Sequence, residues 1–586
     1  MAIYVSTKGN DDNSGTMDSP FSTLARAVEK SRERSAETKE IYIFGGEYEN
    51  TSITLDERDC GLTIAPTNKS DPVILRGGIK AGGWQDVGGG LYCLKLPDFV
   101  AGDIRALEIN GRFCLRSRFP QSGCIEHVTD CPLNWTSTLG GGWDALPTVG
   151  QLTELKYDPG ALPSGFDWDN AEITVFHRWD ESLAGVKSHD PIKNLLVLYP
   201  ECGHPISGFG VKKYIVWNTA HDMAPGCWHF DKTARKIYYN ALPGEDMQVA
   251  QTYIPMHDHI IKINGKISEL AIRDIGFMTA SAPMVPGGFG ATNISGAIDG
   301  SHGLADSDFT GLSFENVGGW GIRLWGKNGG NKNVSICDCH VKSCGAGGIL
   351  LADAGEGMKM HTAEKNGCVI YENMVEQIGL VYFSGIGIYA SCCDVVANRL
   401  DDLPYTGIAY VGGNGGKITG NRVKNAVRTL NDGSGIYASL CEFGVISGNV
   451  VENIFKYEDG FSQRHALYLD EGCHGWRVED NIVTNCDDAM MNHAAKENTI
   501  RNNDFSGREG GDDLLISFAR CEGYVLEKNT FSSSQAITFA GRKGAIAIFK
   551  DNILRSKTND VRQIYIDEKD YSRSPPTKID GEIPLR

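Results

Sequence analysis

The sequence contains no run of about 18 apolar residues, so no segment can cross a membrane as a helix. It is also short of positive charge. Its 56 Lys and Arg face 74 Asp and Glu, leaving a formal net charge of −18 over 586 residues. That balance argues against nucleic acid, anionic membrane surfaces and long polyanions such as pectate or alginate as partners. The 17 cysteines include no CxxC pairs at zinc-module spacing, and the P-loop, GxSxG and HExxH signatures are absent. Cysteines such as Cys337, Cys339 and Cys344 read as small buried hydrophobes, which suits a reducing compartment. The first residues, Met1-Ala2-Ile3-Tyr4-Val5, enter a strand pattern directly, with no basic and apolar leader before it. A cytoplasmic location is therefore expected, with secretion after removal of a signal peptide as the alternative.

What is abundant is glycine, 71 residues against 21 prolines, with 41% of the chain apolar and only 22% charged. That composition supports a large core rather than disorder. In the second half a motif of the form apolar-x-x-Asn-x-apolar recurs at Asn373, Asn398, Asn421, Asn449, Asn481, Asn503, Asn529 and Asn552. The repeat carries strand-type residues without helical periodicity, and leucine-rich repeats would need a consensus that is missing. An all-β fold, the right-handed parallel β-helix, is expected, with each repeat one coil and equivalent side chains stacked about 4.8 Å apart. The asparagines then form one row, with Asn316 and Cys339 extending it toward the N-terminus. A second row runs through Gly348-Ile349, Gly387-Ile388, Gly407-Ile408, Gly435-Ile436, Ala466-Leu467 and Ala489-Met490.

Four regions follow. Residues 1–76 hold an N-terminal cap and the first coils. Ser19-Pro20 before Phe21, Leu24, Ala25 and Val28 predicts a short capping helix that covers the open end of the core. Residues 77–260 lose the period and read as an inserted β-rich domain, sandwich- or barrel-like, with strands over Ala106 to Phe113, Ile173 to Trp179, Leu195 to Tyr199 and Lys236 to Tyr239. Residues 261–558 are the main β-helix, and 559–586, with Pro575-Pro576, form a polar tail.

Two carboxylates stand out on the second row. Asp432 lies in Asn431-Asp432-Gly433-Ser434-Gly435-Ile436-Tyr437, and Asp470 in His465-Ala466-Leu467-Tyr468-Leu469-Asp470-Glu471. Aligning Gly435-Ile436-Tyr437 with Ala466-Leu467-Tyr468 puts both segments on one face of consecutive coils. Tyr437 and Tyr468 are then expected to stack, with Tyr389 one position further up, as an aromatic strip for a sugar. Cleaving a glycosidic bond needs two carboxyl groups, one to protonate the leaving oxygen and one as nucleophile or base. Asp470 is expected to be the ionised nucleophile or base and Asp432 the acid, with Glu471 the alternative acid. His493 falls at the Asp470 position one coil later, placed to bind a substrate hydroxyl or tune Asp470. Glu471, His465 and Tyr405 complete the expected substrate-binding set. No cofactor is expected. The alternative is calcium, which the acidic groups Asp299, Asp306 and Asp308, or Asp512 and Asp513, could hold, although they match no defined calcium loop.

The chain resembles the right-handed parallel β-helix glycoside hydrolases, glycoside hydrolase family 141 above all and family 120 more distantly. The resemblance rests on Tyr4-Val5-Ser6 through Pro20-Phe21-Ser22-Thr23-Leu24, on Leu107-Glu108-Ile109-Asn110-Gly111, and on Arg116-Ser117-Arg118-Phe119-Pro120. It continues through Pro225-Gly226-Cys227-Trp228-His229-Phe230-Asp231, Ile237-Tyr238-Tyr239 and Pro243-Gly244-Glu245-Asp246. It spans nearly the full length. The group often has Glu where Cys227 stands. The resemblance implies hydrolysis of a neutral fucoside or xyloside, with Asp432 and Asp470 as the catalytic pair and Asp470 at the nucleophile position. The family 120 acid/base glutamate falls on His493 here, which leaves the second carboxylate to Asp432 or Glu471. A lyase or epimerase on the same fold would need more cations than Arg464 and Arg477 near this face, and a tailspike or adhesin would carry a trimerisation segment. The expected partner is an oligosaccharide or glycoside; oligomeric state is not encoded in these patterns.

Overall fold

The computed structural model describes residues 2–33, 39–163, 165–326, 330–353, 365–456 and 463–565. The chain is a right-handed parallel β-helix with three long parallel sheets as its faces. The first face has 15 strands, from Ile3–Val5 to Ile546–Lys550. The second has 13, from Gly46–Tyr48 to Ile553–Ser556, and the third 13, from Ile53–Leu55 to Val561–Tyr565. One coil shows the plan: Val445–Ser447 on the first face, Val450–Glu452 on the second and Arg464–Leu469 on the third. Inward positions are aliphatic columns such as Ile418, Ile446, Val478 and Ile500, paired in register and buried. Phenylalanines stack between coils, Phe505 on Phe531 at 5.1 Å and 9°.

The asparagine row occupies the turn between the first and second faces. Asn449 shows why it repeats. Its Oδ1 accepts from the backbone N–H and Nδ2 of Asn421 at 2.9 and 3.0 Å, while its own Nδ2 donates to the Ile418 carbonyl at 2.8 Å and to Asn481 Oδ1 at 2.9 Å. Every polar group that the sharp turn would orphan inside the core is thereby satisfied. The residue before each asparagine takes positive φ, at Ala397, Gly420, Gly448, Asp480 and Asn502, which turns the chain within one residue. The second row is also in register, Ile349 to Ile388, Ile408, Ile436, Leu467 and Met490.

Some expectations need correction. Cys339 does end the row, its N–H donating to Asn373 Oδ1 at 3.0 Å, but Asn316 is not in it. Ser313 pairs with His340, so the equivalent residue one coil earlier is Leu312; Asn316 instead donates to the Gly111 carbonyl of the insertion. The capping helix is Leu24–Arg32, and its N-cap is Thr23, whose hydroxyl accepts the Arg26 N–H. Ser19 and Phe21 lie earlier, in a bridge to Thr16 and on the first strand at Val5. Leu24, Ala27 and Val28 of the helix are buried against the end of the core with Ile3 and Val5, whereas Ala25 is exposed.

Between Gly78–Ala81 and Thr252–Pro255 the chain forms antiparallel sheets. The largest has seven strands, including Glu172–Phe176, Glu181–Asp190, Leu195–Tyr199 and Lys213–Trp217. Ala106 to Phe113 is a tight hairpin rather than one strand, because Asn110 and Gly111 adopt positive φ. The strand expected to reach Trp179 stops at Phe176, and His177–Asp180 forms a turn closed by the His177 N–H on the Asp180 carbonyl at 2.9 Å. Of the tail, the stretch containing Pro575-Pro576 lies outside the described residues.

Candidate active site

The site lies on the third face, where strands Gly433–Ser439, Arg464–Leu469 and Asp488–His493 run side by side. Asp432 precedes the first of these strands and Asp470 follows the second. Gly433 is required beside Asp432, since a Cβ there would meet the Tyr405 ring at 2.5 Å. Asp432 takes φ 56°, and its carbonyl accepts the buried Tyr405 hydroxyl at 2.8 Å. Tyr405, expected to touch substrate, is therefore a prop beneath Asp432.

Tyr437 and Tyr468 pair across the two coils but do not stack: their rings meet edge-on, 5.2 Å apart at 87°. Both are buried, so they offer no open platform. Their hydroxyls cross instead. Tyr437 donates to Asp470 Oδ2 at 2.7 Å and Tyr468 to Asp432 Oδ1 at 3.3 Å. Each tyrosine thus ties one coil's ring to the other coil's carboxylate, and the two acid side chains are only 19% and 18% exposed. Tyr389 is not adjacent to this pair, because Ala409 pairs with both Tyr389 and Tyr437. The space above Ala409 is filled by Phe289, with rings 6.3 Å from Tyr389 and 5.6 Å from Tyr437.

His493 sits one register step beyond Asp470, and its Nδ1 donates to Asp470 Oδ1 at 2.8 Å. Burial opposes ionisation of Asp470, but the His493 bond and charge, the Tyr437 hydroxyl and the Glu471 backbone N–H outweigh it, holding its pKa below the ordinary value. His493 shows the converse balance: burial lowers its pKa, Asp470 raises it more, and Arg520 on the other ring nitrogen opposes, for a net rise. The Tyr437 and Tyr468 hydroxyls are pushed well above 10 by burial and the neighbouring carboxylates, so they act as neutral donors.

The Asp470–His493 pair sets a stability window. A depressed carboxylate contributes above its ordinary pKa of 3.8 and loses that contribution as pH falls through the folded value; a raised imidazole contributes below 6.5 and loses it as pH rises through its folded value. His493→Gln should therefore lower the melting temperature most between those two values, with the difference narrowing on either side. Melting curves of both proteins across the range test this; a difference flat with pH would count against the pair.

The remaining expected residues sit one layer back. Glu471 is buried, its Oε2 accepting the Leu139 N–H of the insertion at 3.0 Å and its Oε1 3.8 Å from Arg520. His465 is buried, its Nδ1 3.3 Å from Asp488 and its ring edge-on to Tyr468. Four contacts were not anticipated. Arg178 Nε lies 3.2 Å from Asp432 Oδ2 and its guanidinium also reaches Gln463, Arg520 closes on His493, and the Leu139 amide meets Glu471. Only the polar His177-Arg178-Trp179-Asp180 break after an apolar strand signals any of these. Trp228 is in the insertion's own core, its indole donating to the Cys114 carbonyl at 2.8 Å, while Trp179 lies beside the site next to Arg178. Among the described residues no group of three His, Cys, Asp or Glu is placed to hold a metal ion. Asp299, Asp308 and Asp513 pair with Arg323, Arg273 and Arg562, and Asp306 accepts from Asn333.

A family profile described as a right-handed beta helix region matches residues 320–505, and no curated protein matches the sequence. A solved structure described as a glycoside hydrolase superposes with a TM-score of 0.62 at 18% identity, covering 86% of this chain and 96% of that one. Weaker likenesses include XylC in complex with xylose (TM-score 0.41, 13% identity, 96% of this chain and 86% of that one). Another is the GH136 lacto-N-biosidase from Eubacterium ramulus (0.44, 12%, 90% and 67%). At these identities the likeness is one of fold.

Proposed function

We propose that this chain is a glycoside hydrolase that cleaves a neutral glycosidic bond, of fucoside or xyloside type, with Asp470 and Asp432 as its two carboxyl groups. The observation that carries the reading is the crossed pairing, in which acids from consecutive coils are each held by the other coil's tyrosine. Glycoside hydrolysis requires two carboxyl groups flanking one bond, and two carboxylates held in fixed orientations on neighbouring coils support that reading. Asp470, kept ionised by His493 and Tyr437, attacks the anomeric carbon or takes a proton from the attacking water. Asp432 delivers a proton to the leaving oxygen. Glu471, whose oxygens hold the Leu139 amide and face Arg520, is the alternative donor, since the oxygens of Asp432 are likewise met by Tyr468 and Arg178. The resemblance to families 141 and 120 supports the same pairing, and the solenoid likeness to a glycoside hydrolase is consistent with it.

The test is a screen of aryl fucosides and xylosides for phenol release, run beside uronate polymers monitored for unsaturated products. Release from a neutral glycoside is expected. Unsaturated product with no neutral cleavage would replace hydrolysis with elimination at this face.

A further inference from the structure

The joint between the insertion and the solenoid holds a cluster of buried charge that the proposed chemistry does not use. At its centre is Glu172, at the start of the strand Glu172–Phe176. Arg105 Nε donates to both of its oxygens at 3.1 Å, and Arg116 Nη1 donates to its Oε2 at 2.7 Å. Burial opposes ionisation of Glu172, but Arg116, Arg105 and Lys232 hold its pKa at about 2. The side chains of Arg105, Arg116 and Glu172 are 9%, 5% and 1% exposed, so two cations are buried with one carboxylate. Lys232 and Asp103, both part-exposed at the outer edge of the cluster, offset each other. One positive charge is left over.

Arg116 also has donors to spare. Its Nη1 is taken by Glu172, whereas Nε and Nη2 are buried without a hydrogen-bond partner. Buried donors are nearly always paired, and Arg116 lines a cavity. The other walls are Arg105, then Phe113, Leu183 and Trp217 of the insertion, and Leu380 and Val381 of the solenoid. The free space totals about 290 Å³, but the walls approach so closely that only about one water-sized sphere can be centred in it. A water molecule there would accept from the two N–H groups and leave the surplus charge buried, which is costly. Sulfate is too large for the space, and its hydration is too strong to give up among apolar walls. A monovalent anion close to water in size satisfies the donors, the charge and the space together.

We propose that this cavity is a binding site for a small monovalent anion of the chloride type, held by Arg116 Nε and Nη2 and bounded on the solenoid side by Leu380 and Val381. The proposal stands independently of the hydrolase reading. The ion ties the insertion to the solenoid at the foot of the strand Glu172–Phe176, whose far end leads into the Arg178 turn on Asp432. The same joint is packed by Phe383 of the solenoid, stacked on Phe176 at 5.5 Å and on Trp217 at 6.2 Å. The anion therefore acts on how the insertion is seated and takes no part in bond cleavage.

The experiment uses the full chain and two readouts. Crystals grown in sodium bromide should show an anomalous-scattering peak at the Arg116 guanidinium. In solution, replacing sodium gluconate by sodium chloride at constant ionic strength should raise the melting temperature by about 1 °C or more, saturating with chloride, and sodium sulfate should not reproduce the rise. Arg116→Lys keeps a cation for Glu172 but removes the Nε and Nη2 donors. Val381→Leu leaves every ion pair in place and fills the space, so its result stands even if Arg116→Lys fails to fold. Each variant should lose both the bromide peak and the chloride-specific rise. No bromide at Arg116 would overturn the proposal and leave the two donors to water. A peak or a chloride-specific rise that persists in Val381→Leu would overturn it as well, by placing the ion elsewhere.

Discussion

Asp470→Asn should reduce glycoside turnover by ~10³-fold or more while lowering the melting temperature only by what its pair with His493 contributes. The amide keeps the shape of the carboxylate, so the solenoid loses no packing. What it loses is the negative charge that His493 and Tyr437 are arranged to hold, and with it the nucleophile or base. Asp432→Asn should cost about 10²- to 10⁴-fold by removing the proton donor. Glu471→Gln should cost less, because an amide oxygen still accepts the Leu139 N–H. Steady-state rates on one aryl glycoside rank the three. Near-normal rates in Asp432→Asn together with collapse in Glu471→Gln would make Glu471 the acid. Normal rates in both aspartate variants would remove this face from the chemistry.

The second large effect is on stability. Asn449→Leu should destabilise the chain by roughly 3 kcal/mol, read from denaturant or thermal unfolding. The side chain meets four polar groups, two of them backbone: the Asn421 N–H and the Ile418 carbonyl. Leucine fills similar volume but leaves both buried without partners, and each orphaned group costs about 1–3 kcal/mol. An unchanged unfolding curve would show that the row contributes nothing at its middle.

The solenoid was legible because its stabilisation is repetitive. A buried turn that recurs each coil demands the same amide each time, so the asparagine spacing exposes the coil length, and the glycine-aliphatic row exposes the third face. The same register placed His493 beside Asp470. The roles of the tyrosines were not legible, since whether an outward ring is a platform or a buried donor depends on what covers it, and the cover comes from the insertion. Tyr389 was set too near for a related reason: its true neighbour is Ala409, whose small side chain makes sense only with Phe289 present. Asn316 matched the motif's residue type but not its register. Arg178 was hidden because the strand pattern of Ile173 to Phe176 was carried past the turn that holds it.

The contact between Leu139 and Glu471 joins residues 332 positions apart. Coils of the solenoid need only their neighbours to form, so each can settle soon after it is made. At ribosomal rates of about 5–20 residues per second, the insertion is complete roughly 10–45 s before its landing site is synthesised. For that interval the Trp135–Trp143 hairpin and the Arg178 turn exist without the surface they close on. The Asp432–Asp470 face is thus assembled late, by the arrival of the later coils under a finished roof.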